Sequence, residues 1–526
     1  MTTDITVKTG RPEFDTFYPR IKAFLEQDTL DMLIDGNRIR GYRSPDALSV
    51  WIRDYSDIFR GFKYFEQDVK SVVQHFADTQ AVNGRIFDYV TTSPEKRPCE
   101  RENWTKYVRI PVEADVEYRF IKAAYLAWQT TGDDAWLKQL LPNMESALNY
   151  VLTHPWRYEP ELGLVKRPYT IDSWDFAYSG GTHDWLQFQI DENTYWGIMH
   201  GDNSGYYQSF RIMSSLYEYF GDQKKAGEWA SRAEKILAAL NETCWNGSFY
   251  THFVKLTPVV IPGVNESLQL SFSNAMNINR GTTTHEMAVS ILQEYQKRKE
   301  RTGAFAEWFS IDPPFPGRIF GDEKLVPGAY VNGGILPLVG GELAKAAFDH
   351  GFEEYGVSIL NRYFELISEK GETYLWYFPD GSASTVETST SPDATPTDGW
   401  GSSAMLYGFI EGLAGVEDKH KLYQKVRLSP RWIAADVDSA EVDVSYGASG
   451  ASIGYRYECK SDEIQLDIRS DESEIHCHVM LPANAAVNEV LCNGSTISHQ
   501  VEMIESSRYV NCQMRVTGKS TLHIKF

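Results

Sequence analysis

No stretch of this 526-residue chain stays apolar for the roughly 18 residues that a membrane-spanning helix requires. Positive charge is also scarce. Lys and Arg number 51 against 72 Asp and Glu, for a formal charge of −21, and no basic run exceeds a few residues. That balance speaks against a nucleic-acid backbone or an anionic membrane as partner. The six cysteines (Cys99, Cys244, Cys459, Cys477, Cys492 and Cys512) are scattered without C-x-x-C or other metal spacing. Four of them fall in the C-terminal hundred residues, where they read as small apolar fillers in strands of a reduced protein. H-E-x-x-H, G-x-S-x-G and a phosphate loop are all missing, which speaks against a zinc protease, an α/β-hydrolase and an NTPase. The first residues, MTTDITVKTGRPEF, lack the basic start and apolar core of a signal peptide. A soluble cytoplasmic protein without metal or cofactor is the expectation.

Aromatic residues, by contrast, are plentiful at 13%, with 14 Trp and 30 Tyr. Such residues form flat platforms with polar handles, which suits a small uncharged ligand such as a saccharide. Several segments share one plan: a polar or Gly-rich start, a helix of small and aromatic residues, a short turn and a more charged helix. VEADVEYRFIKAAYLAWQTTGDDAWLKQLLPNMESALNYVL displays it, and the segments beginning HGDNSGYY and AYVNGGIL repeat it. Small-residue helices are expected to start near Asp54, Asp115, Asn203, Ser267, Asn332 and Trp400, at spacings of 61, 88, 64, 65 and 68 residues. Six near-regular helical hairpins predict a closed (α/α)6 toroid over residues 14–416, after an N-terminal extension at 1–13. The polar helix starts, including Asp202 and Asn203 of GDNSGYY, would then gather at one end with six sets of free N–H groups.

The one long spacing contains YTIDSWDF, residues 169–176, so its loop is expected to reach over that polar end. After a linker at 417–425, alternating segments such as AEVDVSYG, EIQLDIRS and STLHIKF predict an antiparallel β-sandwich over 426–526. His285, in TTTHEMAV, reads as a histidine packed among apolar helix positions.

These hairpins and the β domain resemble the six-hairpin glycosidases, which include glucoamylases, trehalases, processing α-glucosidases and α-L-rhamnosidases. VWIRDYSD is similar to the W-x-R-D segment of glucoamylase-like enzymes, which implies sugar contacts for Trp51, Arg53 and Asp54. YVNGGILP, with Asn332, and DGWGSSAMLYGFIEGLAG, with Trp400, resemble inner-helix starts of the same superfamily. SWDF is similar to the general-acid segment of trehalases and processing glucosidases, which implies Asp175 as the acid beside Trp174. Glu387, ahead of the last inner helix, corresponds to their base. The segment departs from theirs in lacking a Gly before Trp174 and in the Glu-Thr-Ser setting of Glu387.

The implied activity is inverting, exo-acting hydrolysis of an α-glycosidic bond, with rhamnosidase, disaccharide phosphorylase and a non-catalytic sugar binder as alternatives. Inversion requires an acid of raised pKa and an ionised base about 6.5–9.5 Å apart. Trp174 and Phe176 would desolvate Asp175. Other duties compete for the same residues. Asp172 and Asp175 suit an Asx turn as well as substrate binding. Glu387 suits a solvated loop, with Asp393 and Asp398 as rivals for its role, and Asp398 also suits a helix cap. Asp54 would pair with Arg53, and Glu113 and Asp115 would complement a positive helix end.

Overall fold

The computed structural model describes residues 4–45, 47–92, 100–102, 106–174, 176–178, 190–389 and 396–526. Its helices are α1 (Pro12–Asp15), α2 (Phe17–Gln27), α3 (Ile52–Phe62), α4 (Ser71–Asp78), α5 (Val116–Thr131), α6 (Asp134–Thr153) and α7 (His200–Tyr219). They continue with α8 (Gln223–Cys244), α9 (Ser273–Asn279), α10 (His285–Thr302), α11 (Pro337–Asp349), α12 (Glu353–Lys370) and α13 (Trp400–Tyr407). The last runs on into a π-turn at Gly408–Leu413.

Short polar turns divide the helices because they supply stops and starts. Gly132, left-handed at φ 69°, ends α5, and the Asp133 side chain accepts the Trp136 amide to open α6. Asp222 opens α8 through Lys225, and Thr284 opens α10 through Met287. These caps satisfy amides that a helix cannot bond internally.

Helices α3, α5, α7, α9, α11 and α13 each pack on the next, and α13 returns to α3. Outside them, α4 and α6 rest on α5, α8 on α7, α10 on α9 and α11, and α12 on α11. The cover for α13 comes from the N-terminal α2, which lies against both α3 and α13. Small residues allow the close approach. A Cβ added at Gly341 of α11 would stand 2.2 Å from the Ala404 carbonyl carbon of α13. Two expected starts are displaced. Ser267 lies in a 3-10 turn ahead of α9, and Asn332 in a loop ahead of α11, where its amide holds the backbone of Phe315 and Leu325.

The C-terminal chain forms a large, mainly antiparallel sheet around the paired strands Glu463–Met480 and Ser507–Lys525, with a bulge at Ser470–Ser473. Two pairings were not legible in the alternation. Lys425–Leu428 runs parallel to Glu474–Cys477, and Thr6–Lys8 from the N-terminus pairs with Glu441–Asp443. Arg431 joins this sheet to the helices, donating to the Gly412 carbonyl at 2.6 Å and to Asp349 at 3.1 Å. His285 is not packed among apolar residues. As the first residue of α10 it is half-buried, 2.9 Å from His350 Nδ1 and 2.9 Å from Glu505 Oε1.

Among the described residues no helix is long and apolar enough to cross a membrane. Nor, among them, are three or more His, Cys, Asp or Glu side chains grouped to hold a metal ion. Cys244, Cys459, Cys477, Cys492 and Cys512 are free thiols.

Candidate functional site

Carboxylates gather at the starts of α3, α5 and α7, where unpaired amides and the helix dipole favour negative charge. Arg53 of α3 donates through Nε and Nη2 to the two oxygens of Asp115, both at 2.7 Å, and also pairs with Glu113. Arg167, on strand Leu164–Pro168, reaches the same Glu113 at 3.5 Å and Asp202 at 3.2 Å. Its second Nη2 contact, 2.7 Å to the Trp174 carbonyl, anchors the YTIDSWDF loop to this network. Arg119 bridges Asp115 at 3.4 Å to Asp57 at 2.5 Å, and Asp57 accepts the Trp400 indole N–H at 3.0 Å. The Trp400 ring lies 5.1 Å from Trp174, which packs edge-on to Phe272 and donates to the Tyr330 hydroxyl at 2.7 Å. The starts of α3, α5, α7, α9 and α13 therefore meet at one end of the helical ring.

Asp54 does not pair with Arg53. Neighbouring side chains on a helix diverge by about 100°, so Asp54 faces Arg43, 3.5 Å away. Arg43 in turn lies over Trp51, which stacks on Tyr89.

Several of the polar residues singled out from the sequence are committed to the protein itself. Asp172 is fully buried with a left-handed φ of 45°, a conformation that costs a non-glycine residue energy. It is held there by the amides of Ser173 at 2.7 Å and Ser273 at 3.1 Å and by both serine hydroxyls. Its own amide donates to His252 Nε2 at 2.9 Å. Asn203 bonds both the amide and the carbonyl of Val165, and Asn332 braces its loop as described; both are buried. Asp202 is buried against Arg167. Arg53 is likewise committed, to Asp115 and Glu113; Trp51, Asp54, Trp174 and Trp400 flank the network.

Burial pushes these carboxyls apart in pKa. It lifts Asp202 to about 6 against the opposing charge of Arg167, and holds Glu113 well above the usual range despite Arg53. For Asp115 the burial cost is outweighed by Arg53, which keeps that carboxylate ionised. Asp398, buried ahead of α13, accepts the Trp400 amide at 2.8 Å, but from one position before the N-cap, which is Gly399 rather than the expected Asp398. Burial and the neighbouring charge of Asp54 raise it to about 7. Glu387 stands on an exposed turn, where Thr385 and its own amide lower its pKa. Asp175 and Asp393 lie outside the described residues. Glu113 Oε1 and Trp51 Nε1 are buried without a hydrogen-bond partner among the described residues.

Sequence reasoning missed Arg167 and Asp57, which tie the network together. Arg167 lies at the end of the strand just ahead of YTIDSWDF, in the segment KRP, and Asp57 follows Asp54 by three positions in WIRDYSD, on the neighbouring helix face. Both signals were present but unspecific.

No protein-family model and no curated protein matches the chain. Solved structures do share its fold. The α-L-rhamnosidase from Dictyoglumus thermophilum superposes over 99% of this chain with TM-score 0.60 and 13% identity. The Streptomyces avermitilis α-L-rhamnosidase complexed with L-rhamnose does so over 99% with TM-score 0.61 and 12% identity. The chain spans 50% and 42% of those two proteins. A mannosylglycerate hydrolase from Thermus thermophilus, in complex with glucose, superposes over 75% of this chain and 99% of its own length, with TM-score 0.53 and 14% identity. The fold is thus shared over nearly the whole chain with the two α-L-rhamnosidases and over three quarters of it with the mannosylglycerate hydrolase.

Proposed function

We propose that the protein is a glycoside hydrolase that removes a terminal sugar from a small α-linked saccharide with inversion. In this reading residues 14–416 are an (α/α)6 toroid, 426–526 are its β-sandwich, and the enzyme works in the cytoplasm. The observation that carries it is the buried Arg53–Glu113–Asp115–Arg167–Asp202 network beside the contacting indoles of Trp174 and Trp400. Alternating charged donors and acceptors next to aromatic faces suit a neutral ligand rich in hydroxyls, and Glu113 Oε1 and Trp51 Nε1 still lack partners among the described residues. The fold likeness to hydrolases supports catalysis over simple binding.

Asp175 is proposed as the acid that protonates the leaving oxygen. Its neighbours Trp174 and Phe176 are both buried, which supports a raised pKa. Glu387 is proposed as the base that draws a proton from the attacking water; its lowered pKa keeps it ionised. Asp398 is the rival for that role, because it is buried beside Trp400 whereas Glu387 is exposed. Trp51, Arg53, Asp54, Trp174 and Trp400 are proposed to meet the sugar, with Asp172, Asp202, Asn203 and Asn332 shaping the walls behind it. A rhamnoside substrate has equal support from the fold, while the SWDF segment favours an α-glucoside.

A panel of nitrophenyl α-glycosides, α-L-rhamnoside included, and natural disaccharides, each with and without phosphate, tests the reading. Phosphate-independent release of a sugar of inverted anomeric configuration is expected. Asp175→Asn should lower turnover of unactivated disaccharides by about 10²–10⁴ and spare activated leaving groups. Glu387→Gln should lose activity on all of them. Full activity of Asp175→Asn on a disaccharide removes the acid assignment, and retention of activity by Glu387→Gln with loss in Asp398→Asn transfers the base.

A further inference from the structure

The far ends of the same inner helices enclose a second space. Arg60 and Lys63 follow Arg53 along α3 and its cap, which puts them about 10–15 Å further down the axis at 1.5 Å per residue. There α3, α5, α7, α9 and α11 surround a cavity of about 440 Å³, together with the Glu417–Lys419 segment. Its size falls within the roughly 300–1,000 Å³ of small-molecule sites.

The charge of this lining runs against that of the molecule. The chain as a whole carries −21, yet six cationic and five acidic side chains face the cavity. Most are matched to each other. Lys63 pairs with Glu411 at 2.7 Å, Lys122 with Asp57 at 2.7 Å, and Lys419 with Glu417 at 2.6 Å. Arg60 donates Nε to the Asp57 carbonyl at 3.1 Å and pairs through Nη1 with Glu342. Its Nη2, however, is buried without a hydrogen-bond partner among the described residues, and Arg60 itself is only 6% exposed. A buried guanidinium N–H left unmade is costly. Arg211 of α7 lines the same cavity from its exposed rim, with no carboxylate paired to it among the described residues. What is left over is donor capacity and positive charge, in a polar space of ligand size.

We propose that this cavity binds a small anion bearing a phosphate group, held by Arg60 Nη2 within and Arg211 at the rim. Such a ligand meets the unmade N–H through a charge-assisted hydrogen bond. Asp57 lies between this cavity and the indole of Trp400, but neither Arg60 nor Arg211 is among the residues proposed to meet the sugar, so anion binding can be tested apart from the glycosidase reading.

Isothermal titration with inorganic phosphate, glucose 6-phosphate and uncharged glucose tests the proposal on the full chain. At least one anion should bind saturably. Arg211→Ala, an exposed substitution that leaves the packing untouched, should weaken it about tenfold without changing any binding of glucose. Arg60→Gln should abolish it, with circular dichroism to verify folding. Tight phosphate binding would identify free phosphate as sufficient, and binding of glucose 6-phosphate alone would assign a phosphorylated sugar. Absence of binding by both anions, or anion affinity unchanged in Arg211→Ala, overturns it.

Discussion

Asp398→Asn should make the protein less sensitive to alkaline pH. In the folded state burial, reinforced by the nearby Asp54 charge, raises Asp398 from 3.8 to about 7, with Arg43 opposing. A folded pKa above the unfolded one means that the native state binds the proton more tightly. The native state is therefore progressively penalised as pH rises from the unfolded value to the folded one. With those two values, linkage gives a cost of roughly 1.7 kcal/mol at pH 5 and roughly 4.3 kcal/mol at pH 8, a change of about 2.6 kcal/mol. Asparagine retains an oxygen for the Trp400 amide but cannot ionise. Urea unfolding of both proteins at pH 5 and pH 8 should therefore show the variant gaining about 2–3 kcal/mol relative to wild type across that range. Asp28, raised by burial and by the charge of Asp398, and Asp54, raised by burial, titrate in both proteins; loss of the Asp398 charge eases Asp28 in the variant and so acts in the same direction. A difference that stays flat with pH, or that moves in favour of wild type at pH 8, would refute the argument.

Asp172→Asn replaces one acceptor oxygen by an amide nitrogen among the donors Ser173 and Ser273, and should cost about 1–3 kcal/mol in urea unfolding; an unchanged midpoint would show that the loop does not depend on this carboxylate. Gly341→Val drives a side chain into the Ala404 backbone and should lower stability by about 1–3 kcal/mol or more, read as a fall in melting temperature.

The helical pairs were legible because their stops and starts are local: Gly132 and Asp133 do their work within one turn of chain. The polar end of the ring was legible for the same reason, since helix starts can be read one at a time. How each polar residue is used was not, because that depends on partners far away in sequence. Arg53 is next to Asp54 in the chain but bonds Asp115, and Asn203 serves Val165. The parallel strand at Lys425–Leu428 and the displaced starts at Ser267 and Asn332 have the same origin, in contacts that no local pattern encodes.

The cover that α2 provides for α13 has a consequence for how the molecule is made. Five of the inner helices can meet a neighbouring outer helix as soon as both have left the ribosome. The sixth cannot, because α13 closes on α2 and α3 across most of the polypeptide, and Thr6–Lys8 must likewise wait for Glu441–Asp443. At about 5–20 residues per second of synthesis, the apolar faces of α2 and α3 stand open for roughly 20–70 s before their partners exist. That interval, more than the finished stability, is when this protein needs protection from aggregation, and slowing elongation should lower its soluble yield.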